Sequence, residues 1–183
     1  MHIELDDATT LVKSRLTISA NYDREQGGRP LVLNGQELTL KDIRLNGDEL
    51  GVDRYQVDEK YLTIAAPPQE MILEIENTIH PDQNTVLEGL YKSGNKLCTQ
   101  CEAQGFRRIT WFADRPDVLS RFEVILIGDP EKFPVMLANG NRIDSGHLAD
   151  GRHWVKWQDP FPKPGYLFAM VAGQLSLVED FYT

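Results

Sequence analysis

Histidine is the commonest metal ligand in proteins, so the four histidines of this 183-residue chain are the first candidates for chemistry. They stand at positions 2, 80, 147 and 153. A catalytic zinc ion often takes two histidines one helical turn apart, in the pattern His-Glu-x-x-His. No pair of these histidines has that spacing. The sequence therefore predicts no metal ligands and no catalytic residues for zinc-dependent hydrolysis within this chain.

The two cysteines form a Cys-x-x-Cys pair, Cys98 and Cys101. Such a pair can be half of a zinc knuckle or a redox dithiol. A knuckle needs a second pair of ligands, and the chain has no other cysteine. A redox pair begins a helix in a βαβ unit, whereas this region has the pattern of strands and loops. We interpret both as ordinary small side chains, with a redox or metal module kept as a separate hypothesis.

Other catalytic signatures are missing. None of the serines lies in a Gly-x-Ser-x-Gly elbow, and no glycine-rich phosphate loop occurs. The paired glycines at 27–28 are interpreted as a surface turn. Carboxylates are abundant, but periodicity singles out none of them.

Composition narrows the class of protein. The chain has 19 Lys and Arg against 28 Asp and Glu, a formal net charge of −9. An acidic surface repels phosphate backbones, so we expect no nucleic-acid partner. No apolar run has the length of a membrane span, and no apolar leader opens the chain, so we expect no membrane partner. Two cysteines are too few for a secreted disulfide scaffold, which favours the cytoplasm.

In the segments that must position any site, apolar residues recur with the two-residue period of half-buried strands. Val12, Leu16 and Ile18 share one face of their segment. In residues 71–79, apolar and polar side chains also alternate. Further strand candidates are 106–112, 122–126, 153–158 and 166–172.

Turns separate these segments. Asn-Gly or Asp-Gly pairs stand at 34–35, 46–47, 139–140 and 150–151, and the last predicts a hairpin between 144–149 and 153–158. Three prolines in 158–165 indicate a stiff connection rather than a central strand. One helical turn is predicted over 114–120, capped by Asp114. We therefore predict one domain over 1–183: all-β, antiparallel and sandwich-like, with one short helical turn.

The second half of the chain carries a distinctive series of motifs. In chain order they are Leu-Glu-Gly-Leu-Tyr at 87–91, Leu-Cys-Thr-Gln-Cys-Glu-Ala at 97–103, Gly-Phe-Arg at 105–107, Asp-Arg-Pro-Asp-Val-Leu at 114–119, Asn-Gly-Asn-Arg at 139–142, Gly-Arg-His-Trp-Val at 151–155, Trp-Gln-Asp-Pro-Phe-Pro-Lys-Pro at 157–164 and Tyr-Leu-Phe-Ala at 166–169. This series closely resembles the amino-terminal domain of bacterial aminopeptidase N, an alanyl aminopeptidase of the gluzincin zinc metallopeptidases. The dense part of the resemblance covers residues 87–173.

The resemblance implies that the functions of the enzyme are divided between two domains. The amino-terminal domain of that family is a saddle-like β-structure, and the next domain carries a Gly-Ala-Met-Glu-Asn loop and the His-Glu-x-x-His zinc motif. Neither motif occurs in this chain. The resemblance thus implies zinc as the cofactor of the full-length parent but none in this chain. It also implies the catalytic domain of the same polypeptide as a partner, and a chain that is inactive alone.

The same resemblance implies two substrate-binding residues. Carried over, Glu102 would contact the free α-ammonium of a peptide substrate, and Gln100 would line the pocket for its first side chain. An exopeptidase must distinguish a chain end from a chain middle, and a fixed carboxylate reads the ammonium through charge-assisted hydrogen bonds.

A different function class stays open. The chain could be a standalone, non-catalytic β-sandwich module that binds peptides or proteins. An exposed apolar patch at a domain interface would favour the aminopeptidase domain, and its absence would favour the standalone module.

Overall fold

Nearly all of the regular secondary structure among the described residues is β-strand. A computed structural model describes residues 1–19 and 29–182, so the predicted turn at 27–28 lies outside the described residues. The strands are β1 His2–Glu4, β2 Thr10–Ser19, β3 Leu31–Asn34, β4 Thr39–Leu45, β5 Asp48–Glu49, β6 Tyr55–Val57, β7 Tyr61–Ile64, β8 Glu70–Ile79, β9 Gly89–Ser93, β10 Lys96–Gln100, β11 Ser120–Gly128, β12 Val135–Ala138, β13 Asn141–His147, β14 His153–Lys163 and β15 Met170–Gly173. Two single-turn 3₁₀ helices, Phe106–Arg108 and Gly165–Leu167, complete the described elements.

The strands form three sheets. The largest has eight strands in the order β13-β14-β11-β1-β2-β8-β4-β5. A second has four, β12-β15-β10-β9, and the third has three, β3-β7-β6. Neighbouring strands are antiparallel except β1 and β11, which pair in parallel. The predicted all-β, antiparallel fold is confirmed, with that one parallel pairing as an addition.

One face of the eight-stranded sheet carries both hydrophobic cores. On β8, Met71, Leu73 and Ile75 pack with the three-stranded sheet, whereas Ile79 on the same face packs with the four-stranded sheet. The alternation predicted for β8 and β2 is therefore confirmed. It arises because successive side chains of a strand point to opposite faces, and only one face of this sheet is covered.

The segment 106–112 lies at the seam between these cores and is not the strand that its composition predicts. It begins with a 3₁₀ turn and makes only an isolated bridge, between Phe112 and Asn34. Buried polar contacts hold it to the large sheet. Thr110 Oγ1 lies 3.0 Å from Ser14 Oγ, and Asn77 Nδ2 donates to the Ile109 carbonyl at 3.0 Å. Its aromatic and β-branched residues therefore reflect burial rather than strand pairing.

The predicted hairpin at 150–151 is confirmed. β13 and β14 pair from Asn141↔Gln158 to His147↔His153, and Gly151 in the connecting loop has φ +88°. The proline-rich segment is not the predicted connection, because β14 continues through Pro160 and Pro162 to Lys163. Beyond Gln158, however, β14 has β11 as its one partner among the described strands, and no described strand lies along its other edge. Prolines are tolerated on such an edge because the N–H that they lack is not needed for pairing.

The predicted helix over 114–120 does not form. Val118 N donates to the Arg115 carbonyl at 3.1 Å, which closes a turn and not a helix. Asp114 does not cap this turn with its carboxylate, which accepts hydrogen bonds from Arg107 instead. Within the described part of the chain, no helix has the length and apolar character needed to cross a membrane.

Candidate functional site

The candidate site is the turn that follows β10. β9 and β10 form a hairpin in which Gln100, the last residue of β10, pairs with Gly89. The chain then leaves the sheet, and Gly105 N donates to the Cys101 carbonyl at 2.8 Å to close a turn over residues 101–105. Glu102 stands on the outside of this turn and is exposed. The hairpin thus fixes where Glu102 emerges.

Both ends of the turn are buried while its middle faces solvent. Cys101 is 3% exposed, and Gly105 is also buried. A Cβ atom on Gly105 would lie 2.3 Å from the Gln100 carbonyl oxygen and 2.9 Å from Cys101 Cα. The backbone of Gly105 is right-handed (φ −80°), so glycine is required here for space rather than for conformation.

Phe106 holds the end of the turn in the core. Its ring is fully buried and meets the rings of Phe112, Phe122 and Phe168 edge-on, at centroid distances of 4.9, 5.6 and 5.1 Å. Edge-to-face packing of this kind adds specific geometry to the burial of apolar area. The Glu102 turn is therefore tied to the hydrophobic core one residue after it closes.

An ion pair stabilises the same region. Arg107 Nε donates to Asp114 Oδ2 at 2.9 Å, and Arg107 Nη2 donates to the Asp114 backbone carbonyl at 2.9 Å. The two side chains are 12% and 3% exposed. Because one arginine binds both the carboxylate and the main chain of Asp114, it fixes residues 106–108 against residue 114.

Burial raises the pKa of the Cys101 thiol to about 12, and the negative charge of Asp114 adds to the shift. A thiol with so high a pKa is neutral near pH 7 and is a poor nucleophile. Both cysteines are free thiols. The interpretation of Cys101 as a structural residue follows from this environment.

A cleft of about 320 Å³ lies beside the turn. It is lined by Glu102, Ala103, Gln104, Asp114, Arg115, Pro116 and Tyr166. Arg115 is already paired with Asp117 at 3.0 Å, and Asp114 is paired with Arg107. Among the residues that the structure describes, the carboxylate of Glu102 is thus the acidic group at this cleft without a cationic partner, and it can accept hydrogen bonds from a cationic group of a ligand.

The two residues expected from sequence differ in their placement. Glu102 lies in the wall of the cleft. Gln100 is not in the wall of the cleft. Its Nε2 donates to the Glu102 carbonyl at 3.4 Å, so its side chain contacts the turn itself. Sequence reasoning missed Tyr166 and Asp114 as parts of the wall. Both stand in the distinctive motifs, but only the fold shows that segments so far apart in sequence converge.

The described residues do not fit a zinc site. Among residues 1–19 and 29–182, no group of three or more His, Cys, Asp or Glu side chains is arranged to hold a metal ion. A catalytic zinc site needs three protein ligands around one ion. No step of metal-dependent hydrolysis can be derived from these residues.

Comparison with known proteins gives consistent matches. The family described as Peptidase M1 N-terminal domain matches residues 1–167. Aminopeptidase N of Escherichia coli (strain K12) is 51% identical over 180 residues, which cover 98% of this chain and 20% of the relative. Aminopeptidase N of Caulobacter vibrioides is 49% identical over 179 residues, covering 97% and 20%. The chain thus spans about a fifth of the length of these relatives.

Solved structures show the same fold. The crystal structure of Legionella pneumophila aminopeptidase A in complex with aspartic acid matches with a TM-score of 0.86 at 34% identity, covering 96% of this chain and 21% of that one. An M1 zinc metallopeptidase from Deinococcus radiodurans matches with a TM-score of 0.78 at 16% identity, covering 94% and 40%. The second likeness concerns the fold alone.

Proposed function

The chain belongs to the Peptidase M1 N-terminal domain family, and from this premise we propose that residues 1–183 form the amino-terminal β-domain of a zinc aminopeptidase that releases N-terminal residues from peptides. The observation that carries the proposal is the carboxylate of Glu102, which has no ion-pair partner among residues 1–19 and 29–182 and is held at a cleft by a turn whose two ends are buried. Two relatives of about 50% identity are named aminopeptidase N.

In this proposal Glu102 binds the α-ammonium of the substrate. A carboxylate that accepts hydrogen bonds from an ammonium group makes the strong, charge-assisted kind of contact. An interior peptide bond has no ammonium, so the contact selects chain ends. A rigid turn also fixes the distance between the amine and the scissile bond, and such positioning lowers the entropic part of the barrier.

Gln100 supports the site in two ways. Its amide donates to the Glu102 carbonyl and so steadies the turn. Because Gln100 is itself exposed, we propose that its side chain contacts the first residue of the substrate once the remainder of the polypeptide is in place.

The remainder of the polypeptide is the proposed partner. Three exposed apolar side chains lie on segments that lead to or from the cleft wall or pair beside it: Leu119 precedes β11, Phe161 lies in the part of β14 that pairs with the start of β11, and Leu167 follows Tyr166. Their exposed fractions are 58%, 74% and 45%. We propose that these side chains belong to the surface on which the remainder of the polypeptide docks, since a contiguous exposed apolar patch is typical of an interface. Zinc would be bound outside these residues, and the isolated chain is expected to be inactive.

The test replaces Glu102 by Gln in the full-length peptidase that carries this domain. Removing one charged partner of a hydrogen-bonded pair costs about 1.5–3 kcal/mol. We therefore expect kcat/KM for a peptide with a free amine to fall about 10- to 160-fold. Glu131→Gln, a change in an exposed glutamate of the loop before β12, should leave kcat/KM unchanged.

Two results would count against the proposal. An unchanged kcat/KM in the Glu102→Gln enzyme would remove the amine-anchor role. Binding of free and N-acetylated peptides with equal affinity by the isolated chain would favour the standalone binding module instead.

A further inference from the structure

A second cleft, of about 430 Å³, is lined by the edge strands of two sheets. β13 is the last strand of the eight-stranded sheet, and β12 is the last strand of the four-stranded sheet. Both strands line the cleft, and β14, which pairs with β13, lines it as well. Its volume is within the range of pockets that hold small molecules, about 300–1,000 Å³.

Two hydrogen bonds hold β12 against β14. Trp157 Nε1 donates to the Met136 carbonyl at 3.2 Å. His153 Nε2 lies 2.8 Å from the Phe133 carbonyl oxygen, and since a carbonyl only accepts, this nitrogen carries the hydrogen. Met136 and Phe133 are themselves buried. The two sides of the cleft are therefore fixed relative to each other before any ligand binds.

The register of the hairpin places two polar side chains of β13 on the cleft side of the sheet. Arg142 stands opposite Trp157, and Ser145 stands opposite Val155. Cross-strand partners share a face, and so do alternate residues of one strand. Because Val155 is buried, this is the face turned towards the core. Arg142 and Ser145 both line the cleft and are exposed.

The side-chain charge of the cleft is positive. None of the described residues that line it is Asp or Glu, although the chain has 28 of them. Asp144 stands opposite Lys156 and so belongs to the other face of the sheet. Arg142 has no acidic partner among residues 1–19 and 29–182. A cleft of this character suits an anion in an otherwise acidic protein.

The free donors of Arg142 and Ser145 fit an oxyanion. Arg142 Nη2 donates to Ser145 Oγ at 2.6 Å. The serine oxygen accepts this bond, so its own hydrogen stays free to donate to a ligand. The Nε and Nη1 hydrogens of Arg142 have no acceptor in the described part of the chain. A guanidinium group presents such hydrogens in a planar fork that matches two oxygens of a carboxylate or phosphate.

Apolar side chains border these donors. Trp157, the cross-strand partner of Arg142, is half-buried. On β12, Leu137 is 40% exposed and Val135 is half-buried. All three line the cleft. A ligand with an apolar group beside its oxyanion would bury that group here, and the removal of apolar area from water favours binding.

We propose that this cleft binds a small organic anion, whose carboxylate or phosphate group is held by Arg142 and Ser145 and whose apolar group packs against Trp157 and Leu137. The two oxyanions share the geometry that a guanidinium group recognises, so both are tested. The cleft shares no lining residue with the cleft beside Glu102, and the proposal does not depend on the proposed function.

The test titrates the isotope-labelled chain with hydrocinnamate and with phenyl phosphate, and follows the backbone NMR signals. Hydrocinnamamide is the matched ligand control, because it has the same apolar group as hydrocinnamate and no charge. We expect signal shifts confined to β12, β13 and β14 for at least one anion, and the anion that binds more tightly identifies the preferred group. The amide should bind about ten-fold more weakly than hydrocinnamate, or less tightly still.

Variants of the chain test the role of Arg142. Arg142→Gln should weaken binding of the anion about ten-fold or more, because a charge-assisted hydrogen bond is lost. Since Arg142 is exposed, this variant should keep its folded spectrum. Arg54→Gln is the matched control, because Arg54 is an exposed arginine before β6, outside the cleft, and it should leave binding unchanged.

Four results would each overturn the proposal. They are equal affinity for hydrocinnamate and its amide, unchanged affinity in Arg142→Gln, no signal shifts with either anion at tens of millimolar, and shifts centred outside β12, β13 and β14.

Discussion

The packing of Phe106 gives a sharp test of how the Glu102 turn is held. Its ring is fully buried and meets three other phenylalanine rings within 5.6 Å. Replacing a buried phenylalanine by alanine costs about 3–5 kcal/mol, of which part is the cavity that remains. The neighbouring rings come from separate segments, on β11 and around residues 112 and 168, so they cannot close the cavity together. We therefore expect the free energy of unfolding to fall by about 4 kcal/mol.

Urea denaturation of the isolated chain measures this loss. With a slope of about 2 kcal/mol per molar urea, the midpoint should fall by about 2 M. Phe161→Ala is the matched control, because Phe161 is 74% exposed. That variant should change the stability by about 0.5 kcal/mol or less. A loss below about 1.5 kcal/mol in Phe106→Ala would show that the aromatic cluster collapses around the gap, and would refute the argument that it anchors the turn.

Two further predictions concern the turn itself. Gly105→Ala places a Cβ 2.3 Å from the Gln100 carbonyl oxygen. We therefore expect urea denaturation to show a loss of about 1–3 kcal/mol in the free energy of unfolding, and the full-length enzyme to show a raised KM. Unchanged values of both would contradict the tight packing. Burial raises the pKa of the Cys101 thiol to about 12, so the folded state favours the neutral thiol. The contribution of this thiol to the free energy of unfolding is therefore fully present below the unfolded thiol pKa near 9, and it is lost as pH rises toward 12. The wild-type chain should therefore lose stability relative to Cys101→Ala across this window, at up to about 1.4 kcal/mol per pH unit, in urea titrations at stepped pH; parallel pH curves would contradict it.

Strand periodicity made four strands of the large sheet predictable from sequence: β2, β8, β11 and the first part of β14. On β8 the apolar residues Met71, Leu73 and Ile75 fall on the buried face, because the side-chain period of a strand is two. The same holds for Phe122 and Val124 on β11. When one face of a sheet is buried and the other faces solvent, apolar and polar residues alternate in the sequence of each strand, and this alternation predicts the strand.

Two of the wrongly predicted segments, 106–112 and 158–163, differ from the prediction for different physical reasons. Residues 106–112 have strand-like composition because they are buried at a seam, and composition alone does not distinguish burial from pairing. Residues 158–163 contain prolines yet continue β14, because β13 ends its pairing at Gln158 and leaves one edge free. Whether a strand has a neighbour at a given residue depends on other segments and is not encoded locally.

The position of Glu102 depends on contacts that are distant in sequence. Its turn is closed locally, by Gly105 and Cys101, but its orientation is set through Phe106 and the Arg107–Asp114 pair. Those groups in turn pack against strands from both halves of the chain. Sequence motifs could therefore point to Glu102 as a candidate, whereas only the assembled cores can hold its carboxylate at the cleft. Mutations in the seam, far from any substrate, should accordingly change substrate affinity by displacing the turn.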